Sequence, residues 1–100
     1  MDTPLVLDEH TAAHIAELFR AFSDTSRVRI LSALIEQEIS VNALAQLVGI
    51  SDSGVSHHLR SLRQMKLVMA RRDGKEVYYR VEDEHLISLF QQGVRHVQHG

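Results

Sequence analysis

The stretch from residue 40 to residue 68, SVNALAQLVGISDSGVSHHLRSLRQMKLV, predicts two helices joined by a tight turn. Ser40 can cap a short first helix, Gly49 can end it, and Ser51 can cap a longer second helix. On the second helix, apolar residues recur at i, i+4 and i+7 and predict a face turned to the core: Val55, Leu59 and Leu62. A short helix, a turn and a longer helix form the layout of a helix-turn-helix, which we place at 40–66.

The opposite side of the second helix has short polar and basic side chains at helical spacing. Hydroxyl, imidazole and guanidinium groups can reach base edges and phosphates in a DNA groove without filling it. We therefore predict DNA contacts by five residues of this helix: Ser53, Ser56, His57, Arg60 and Arg63. The spacing has a second interpretation, because a helical hairpin inside a bundle would show part of the same pattern.

Residues 67–81 predict a β-hairpin, because side chains alternate along its second half. One face would have Val77, Tyr79 and Val81, and the other Glu76, Tyr78 and Arg80. Asp73 and Gly74 form a dipeptide typical of a two-residue hairpin turn. The predicted tip is basic, which favours a wing that lies against DNA and contacts it through three residues: Arg71, Arg72 and Lys75. Alternatively, the hairpin only closes the core and its tip charges favour solubility.

Two further segments predict outer helices with apolar surfaces. A helix at 8–22, with Asp8 as its N-cap, has an apolar stripe formed by Ala12, Ile15, Ala16, Phe19 and Phe22. A helix at 83–99 is apolar over a wide arc formed by Leu86, Leu89, Phe90, Gly93, Val94 and Val97. Such an arc in so short a chain suggests packing outside the monomer, so we predict that these two helices form a homodimer interface.

Length and composition limit the number of domains and the kinds of site that the chain can form. One hundred residues predict a single domain, 1–100, in which 1–7 form a flexible arm and 23–38 another helix. The fold class is therefore mainly α with a small β-hairpin. The absence of cysteine excludes disulfides and thiolate metal sites. Because no apolar run is long enough for a membrane span and no signal-peptide pattern opens the chain, we expect a cytoplasmic protein without a membrane partner.

The formal charge is distributed unevenly along the chain. Residues 51–80 have a net charge of +4, whereas the remainder has −6, giving −2 for the whole chain. A basic region on an acidic body indicates a polyanion, here double-stranded DNA, that is reached by one face. A solvated charged face is the alternative explanation.

The predicted last helix has possible metal ligands at both ends: Asp83 and His85 at its start, His96 and His99 near its finish. Eleven residues separate His85 from His96, which is roughly 16 Å along a helix. Because a zinc–ligand bond measures only ~2.0–2.2 Å, the two ends of one helix cannot share an ion.

Eleven residues are also about three helical turns, so both ends present their side chains on the same side. Two antiparallel copies of the helix would therefore unite Asp83 and His85 of one chain with His96 and His99 of the other, giving two N₃O sites per dimer. Imidazole and carboxylate ligands suit Zn(II) or Co(II), and Ni(II) remains possible. Alternatively, the histidines are only exposed and Asp83 is a plain N-cap.

Three segments resemble the ArsR/SmtB family of dimeric winged-helix repressors: SDTSRVRIL (23–31), SGVSHHLRSLRQMKLV (53–68) and RRDGKEVYYRV (71–81). The resemblance extends over about residues 10–99. One sensing site of the family uses cysteines in a segment corresponding to EISVNAL (38–44), where Ser40 and Asn42 replace them. Another uses Asp-x-His and His-x-x-His on the final helix, which the last helix matches in full.

The resemblance, closest to the zinc- and cobalt-responsive CzrA-like branch, implies a repressor rather than an enzyme. It implies an inverted-repeat operator, release by Zn(II) or Co(II), and control of metal efflux or resistance genes. We keep as alternatives a DNA-binding regulator that answers to Ni(II) or to a non-metal signal, a zinc enzyme or storage protein, and a winged helix that binds protein. His10 and His14, at i and i+4 in the first helix, are a further possible metal-binding pair.

Overall fold

The computed structural model describes residues 5–99, which form five helices and three strands. In chain order they are α1 Glu9–Arg20, α2 Thr25–Glu36, β1 Ile39–Ser40, α3 Val41–Val48, α4 Asp52–Gln64, β2 Met69–Asp73, β3 Glu76–Arg80 and α5 Glu84–His99. This confirms a mainly α fold with a β-hairpin in the winged helix-turn-helix arrangement. Of the predicted arm, 1–4 lie outside the described residues, and 5–7 are exposed.

Side chains that can cap helices determine where all five helices begin. Asp8, Asp24, Ser40 and Ser51 each accept a hydrogen bond from the backbone N–H three residues later. Asp83 does the same for the first turn of α5, with bonds of 2.8 Å and 3.3 Å to successive N–H groups. These bonds satisfy N–H groups that have no partner within the helix. The helices therefore begin within one or two residues of the positions predicted from the sequence.

The core lies where α2, α3 and α4 meet. It includes seven fully buried side chains: Ile30, Leu31, Leu34, Leu44, Val55, Leu59 and Leu62. Gly49 ends α3 with φ +79°, a left-handed conformation that glycine adopts without strain. Arg29 of α2 donates a 2.8 Å bond to the carbonyl of Val48, which ties α2 to the C-terminus of α3. The burial of Val55, Leu59 and Leu62 confirms the predicted core-facing side of α4.

The sheet has three strands in the order β1-β3-β2, all antiparallel. The sequence predicted only the hairpin, because a two-residue strand is too short to show alternation. β1 pairs Ile39 with Tyr79 and Ser40 with Tyr78, so it joins the start of α3 to the hairpin. Tyr79 packs against the core, so the face that it shares with Val77 and Val81 is the inner face of the hairpin.

The predicted position of the hairpin turn is wrong by one residue. Asp73 pairs with Glu76, so the two-residue turn is Gly74-Lys75 rather than Asp73-Gly74. Gly74 has φ +65°, while Lys75 has no positive φ. A two-residue turn with glycine first and a positive φ only there is typical of type II′, whose twist matches that of the strands. Asp73 therefore remains in the strand.

Helices α1 and α5 contribute little to the core. None of the α1 residues is buried, and Leu86 is the single buried residue of α5. Phe22, predicted within the first helix, lies in the turn after it. The radius of gyration is 15.3 Å, against about 13 Å for a compact domain of this length. The chain is therefore extended, with apolar helices at its periphery.

Candidate functional sites

The predicted DNA-reading face of α4 is open to solvent. Ser53, His57, Arg60 and Arg63 are exposed, and Ser56 is half-buried. Their positions follow from the buried stripe on the opposite side of the helix. Near the helix start, the Ser53 hydroxyl lies 3.1 Å from the hydroxyl of the N-cap, Ser51. The cap bond and this contact lie in the first turn of α4, where the side chains are short.

His58, next to His57, has a different environment. Its side chain is 18% exposed, and its Nε2 lies 3.8 Å from Oδ2 of Asp24, the N-cap of α2. The pKa of Asp24 is lowered, first by the hydrogen bond from the Arg27 N–H and then by the nearby imidazole and guanidinium. His57 and His58 are neighbours on α4, but the His58 side chain faces the start of α2 instead of solvent.

The wing has two kinds of basic residue. Arg72 and Lys75 are exposed and form no ion pair within residues 5–99. Arg71 instead donates from Nη2 to Oε1 of Glu38 at 2.7 Å and from Nε to both carboxylate oxygens at 3.2 Å. No local sequence signal indicated Glu38, because it lies 33 residues from Arg71 and only the sheet brings the two together.

The four metal-ligand candidates occupy the two ends of α5, as predicted. Asp83 accepts the cap bonds with Oδ1, and His85 Nδ1 lies 3.5 Å from the same oxygen. Within residues 5–99, Oδ2 of Asp83 accepts no hydrogen bond. His96 and His99 are exposed and line a shared depression with Gln92 and Arg95.

The long helix keeps these two pairs apart. With 16 residues, α5 is about 24 Å long. Within the described part of one chain, no three histidine or acidic side chains come together as a metal-binding cluster. His10 and His14 do meet on α1, with ring centroids 4.4 Å apart. One copy of the chain therefore presents two separate pairs on α5, and neither belongs to a group of three or more possible metal ligands within residues 5–99.

An apolar groove of about 650 Å³ runs beside the last turns of α5. It is lined on one side by Phe19, Phe22 and Val28, and on the other by residues of α5: Leu89, Phe90, Gly93, Val94 and Val97. Val97 is 81% exposed and Phe19 49% exposed. His96 borders the same groove, so a potential metal ligand adjoins an apolar surface that stays largely exposed within residues 5–99.

Across the described residues, none of the helices is long and apolar enough to cross a membrane.

Comparisons of the sequence and of the fold with known proteins both find bacterial transcriptional regulators. Residues 24–69 match the family described as "Bacterial regulatory protein, arsR family". A transcriptional repressor SmtB homolog from Synechocystis is 43% identical over 95 residues, which cover 95% of this chain and 72% of that protein. A second relative is a cadmium resistance transcriptional regulatory protein, a CadC homolog from Staphylococcus aureus. It is 37% identical over 83 residues, which cover 82% of this chain and 69% of that protein.

One similar solved structure is the homodimeric winged helix-turn-helix DNA-binding domain Mb0332 from Mycobacterium bovis, a possible ArsR-family regulator. It superposes with a TM-score of 0.79 and is 29% identical, covering 97% of this chain and 96% of that one. The match includes the helix-turn-helix, the wing and the outer helices, because nearly all of both chains is aligned.

Proposed function

Because the chain belongs to the arsR family of bacterial regulatory proteins, whose members are DNA-binding transcriptional regulators and not enzymes, we propose that it is a metal-responsive repressor. It binds an inverted-repeat operator as a homodimer and is released by Zn(II), with Co(II) and Ni(II) as further candidate effectors. Its targets are metal efflux or resistance genes, and it acts in the cytoplasm.

The DNA-binding part of the proposal rests on the exposed surface of α4 and the wing. Helix α4 fits the major groove, and its polar and basic side chains match base edges and phosphates. Five of them enter the groove or reach its edges: Ser53, Ser56, His57, Arg60 and Arg63. At the wing, Arg72 and Lys75 contact the backbone, whereas Arg71, which the sequence also predicted to contact DNA, is paired with Glu38. Two copies related by a twofold axis would then read the two halves of an inverted repeat.

The observation that supports metal sensing most is the placement of Asp83 and His85 at one end of α5 and His96 and His99 at the other. Two antiparallel copies of α5, packed through the apolar groove, would join the first pair of one subunit to the second pair of its partner. Each of the two sites would have three nitrogen ligands and one oxygen ligand. Four protein ligands close a tetrahedral zinc site and leave no position for a reactive water, which fits a sensor and argues against a hydrolase.

Metal binding would act by fixing the relative orientation of the two α5 helices, and so the spacing of the two α4 helices. A thousandfold loss of DNA affinity corresponds to ~4 kcal/mol. Divided between two sites, this is ~2 kcal/mol per metal, inside the coupling range of ~1–3 kcal/mol that is usual for allosteric proteins. The name of the CadC homolog, a cadmium resistance regulator, supports a metal as the signal.

The test is binding of an operator duplex by the purified dimer, measured by fluorescence anisotropy with and without stoichiometric Zn(II). The duplex is selected from the DNA flanking the protein's own gene. We expect tight binding without metal and release with Zn(II). Unchanged binding with every metal would leave a regulator that answers to a non-metal signal, whereas release by Ni(II) alone would identify a nickel sensor.

A further inference from the structure

Five charged side chains form a continuous series of ion pairs on the face of the sheet that is turned away from the core. Glu38 is at the centre, 2.7 Å from Arg71 and 3.5 Å from Arg80. Asp73 continues the series 3.8 Å from Arg71, and Glu82 ends it 2.6 Å from Arg80. Three carboxylates thus surround two guanidinium groups, so this face of the wing has no excess of positive charge.

Strand geometry places the two neighbouring arginines of β2 on different faces of the wing. Arg71 pairs in register with Tyr78, and its guanidinium lies 5.0 Å from the centre of that ring. Arg72 pairs with Val77 and must point to the opposite face, because successive side chains of a strand alternate. Lys75 lies in the turn. Only Arg71 of these three cations has a partner within residues 5–99.

We propose that Glu38 limits the positive charge that the wing offers to DNA, because it holds Arg71 within the fold and leaves phosphate contact to Arg72 and Lys75. This inference rests on the proposed DNA-binding function and refines the role of the wing in it. Sequence-independent affinity for DNA grows with the number of phosphates that basic side chains neutralise. By withholding one cation, Glu38 weakens binding to DNA at large and leaves discrimination to α4.

Three features of the Glu38–Arg71 pair favour its persistence beside DNA. Arg71 meets the carboxylate with two of its nitrogens, a planar arrangement that holds better than a single contact. The Tyr78 ring adds a cation–π contact on the guanidinium. The bond from Arg71 also lowers the pKa of Glu38, and the charge of Arg80 lowers it further, so the carboxylate stays ionised at neutral pH.

The test uses a duplex of random sequence, so that it depends neither on the operator nor on metal. Binding of this duplex is measured by fluorescence anisotropy over a series of KCl concentrations. The proteins compared are wild type, Glu38→Gln, Arg71→Gln, the double variant Glu38→Gln/Arg71→Gln and Arg72→Gln. The logarithm of the binding constant falls linearly with the logarithm of salt concentration, with a slope of about −0.9 per phosphate contact. The slope therefore counts the contacts.

The Glu38→Gln variant should bind DNA more tightly than wild type, and its slope should be steeper by about one phosphate contact. Its gain in affinity between 200 and 50 mM salt should therefore exceed that of wild type roughly threefold. Arg71→Gln should leave the slope unchanged, and the double variant should return to the wild-type slope. Arg72→Gln, the matched control on the same strand, should reduce the slope by about one contact. Thermal unfolding of each variant is recorded in parallel.

Two results would overturn the inference while wild type still binds. In one, Arg71→Gln reduces the slope as much as Arg72→Gln, and Glu38→Gln changes nothing, so Arg71 itself contacts phosphate. In the other, Glu38→Gln lowers both the melting temperature and DNA affinity, so the carboxylate serves only stability. If wild type binds no duplex at any salt concentration, the proposed DNA-binding function fails, and this inference fails with it.

Discussion

Two adjacent residues of α4 illustrate how position, rather than residue type, determines a role. His57 is exposed on the reading face, whereas His58 is largely covered and lies near the carboxylate of Asp24. The same contrast separates Arg71, held by Glu38, from Arg72, which has no ion pair in the described chain. At this scale the surroundings of each side chain decide whether it is available to DNA.

Asp24 should make stability depend on pH in the acid range. Its pKa is lower in the folded chain than its ordinary value, so its stabilising effect is complete above about pH 4, the usual pKa of an aspartate, and is lost as pH falls through the folded value. Asparagine can still cap α2 but cannot titrate. We expect Asp24→Asn to flatten the pH dependence of the unfolding free energy below about pH 4, measured with urea. Curves that remain parallel would contradict this.

Leu59 should be among the most sensitive positions of the core, because it has no exposed surface. Leu59→Ala removes buried methyl groups and leaves a cavity, at a cost of about 2–5 kcal/mol. Leu47→Ala is the matched control: Leu47 is 61% exposed, and its truncation should cost less than about 0.5 kcal/mol. Urea unfolding followed by circular dichroism measures both values, and similar losses would mean that the core is assigned incorrectly.

Among the elements, α4 and α5 each have one face that packs in the fold and another that is exposed. In α4 the buried stripe of Val55, Leu59 and Leu62 lies opposite the polar face. In α5 only Leu86 is buried, and all of 91–99 is exposed. The end of α5 therefore gains little from the core of its own chain, and its proposed role depends on a second helix.

His96→Ala should separate DNA binding from metal sensing. The variant keeps the α4 surface and should bind the operator like wild type. It should lose the coupling of ~2 kcal/mol that each metal site is proposed to supply. His10→Ala is the control, because it removes a histidine of α1 that takes no part in the proposed sites. Release of His96→Ala from the operator by Zn(II), in the same anisotropy assay, would show that the α5 site is assigned wrongly.

For the molecule as a whole, the extended shape and the apolar groove along α5 support the proposed homodimer. The groove is formed by α1, α2 and α5, and its most exposed apolar residue is Val97. A twofold dimer would cover this surface in both subunits at once. The same packing would bring together the two halves of each proposed metal site, so assembly and sensing would share one interface.

Val97→Asp should weaken the dimer, because it places an unpaired carboxylate in an apolar contact. By symmetry the change occurs twice, and about 1.4 kcal/mol for each copy raises the dissociation constant about a hundredfold. Met69→Asp is the control, an exposed apolar residue of β2, away from the groove. Sedimentation equilibrium measures both variants. A dimer of Val97→Asp as stable as wild type would place the interface elsewhere.

Much of the fold could be predicted because its signals are local. Capping residues, helical periodicity and the glycine that ends α3 act within a few positions, and the helices follow them closely. The hairpin turn was misplaced by one residue because Asp73-Gly74 and Gly74-Lys75 are both plausible turns. Pairing of Asp73 with Glu76 depends on the register of the whole ribbon. β1 was missed because two residues have no measurable period.

The sequence alone was enough to predict the helix-turn-helix, the exposed polar face of α4 and the placement of four possible ligands at the ends of one helix. Each of these follows from spacing along a single element of known geometry. Only the tertiary structure showed that Glu38 holds Arg71 and that His58 lies near Asp24. Those contacts join residues that are distant in sequence, and their energies depend on distances that exist only once the sheet and helices have packed.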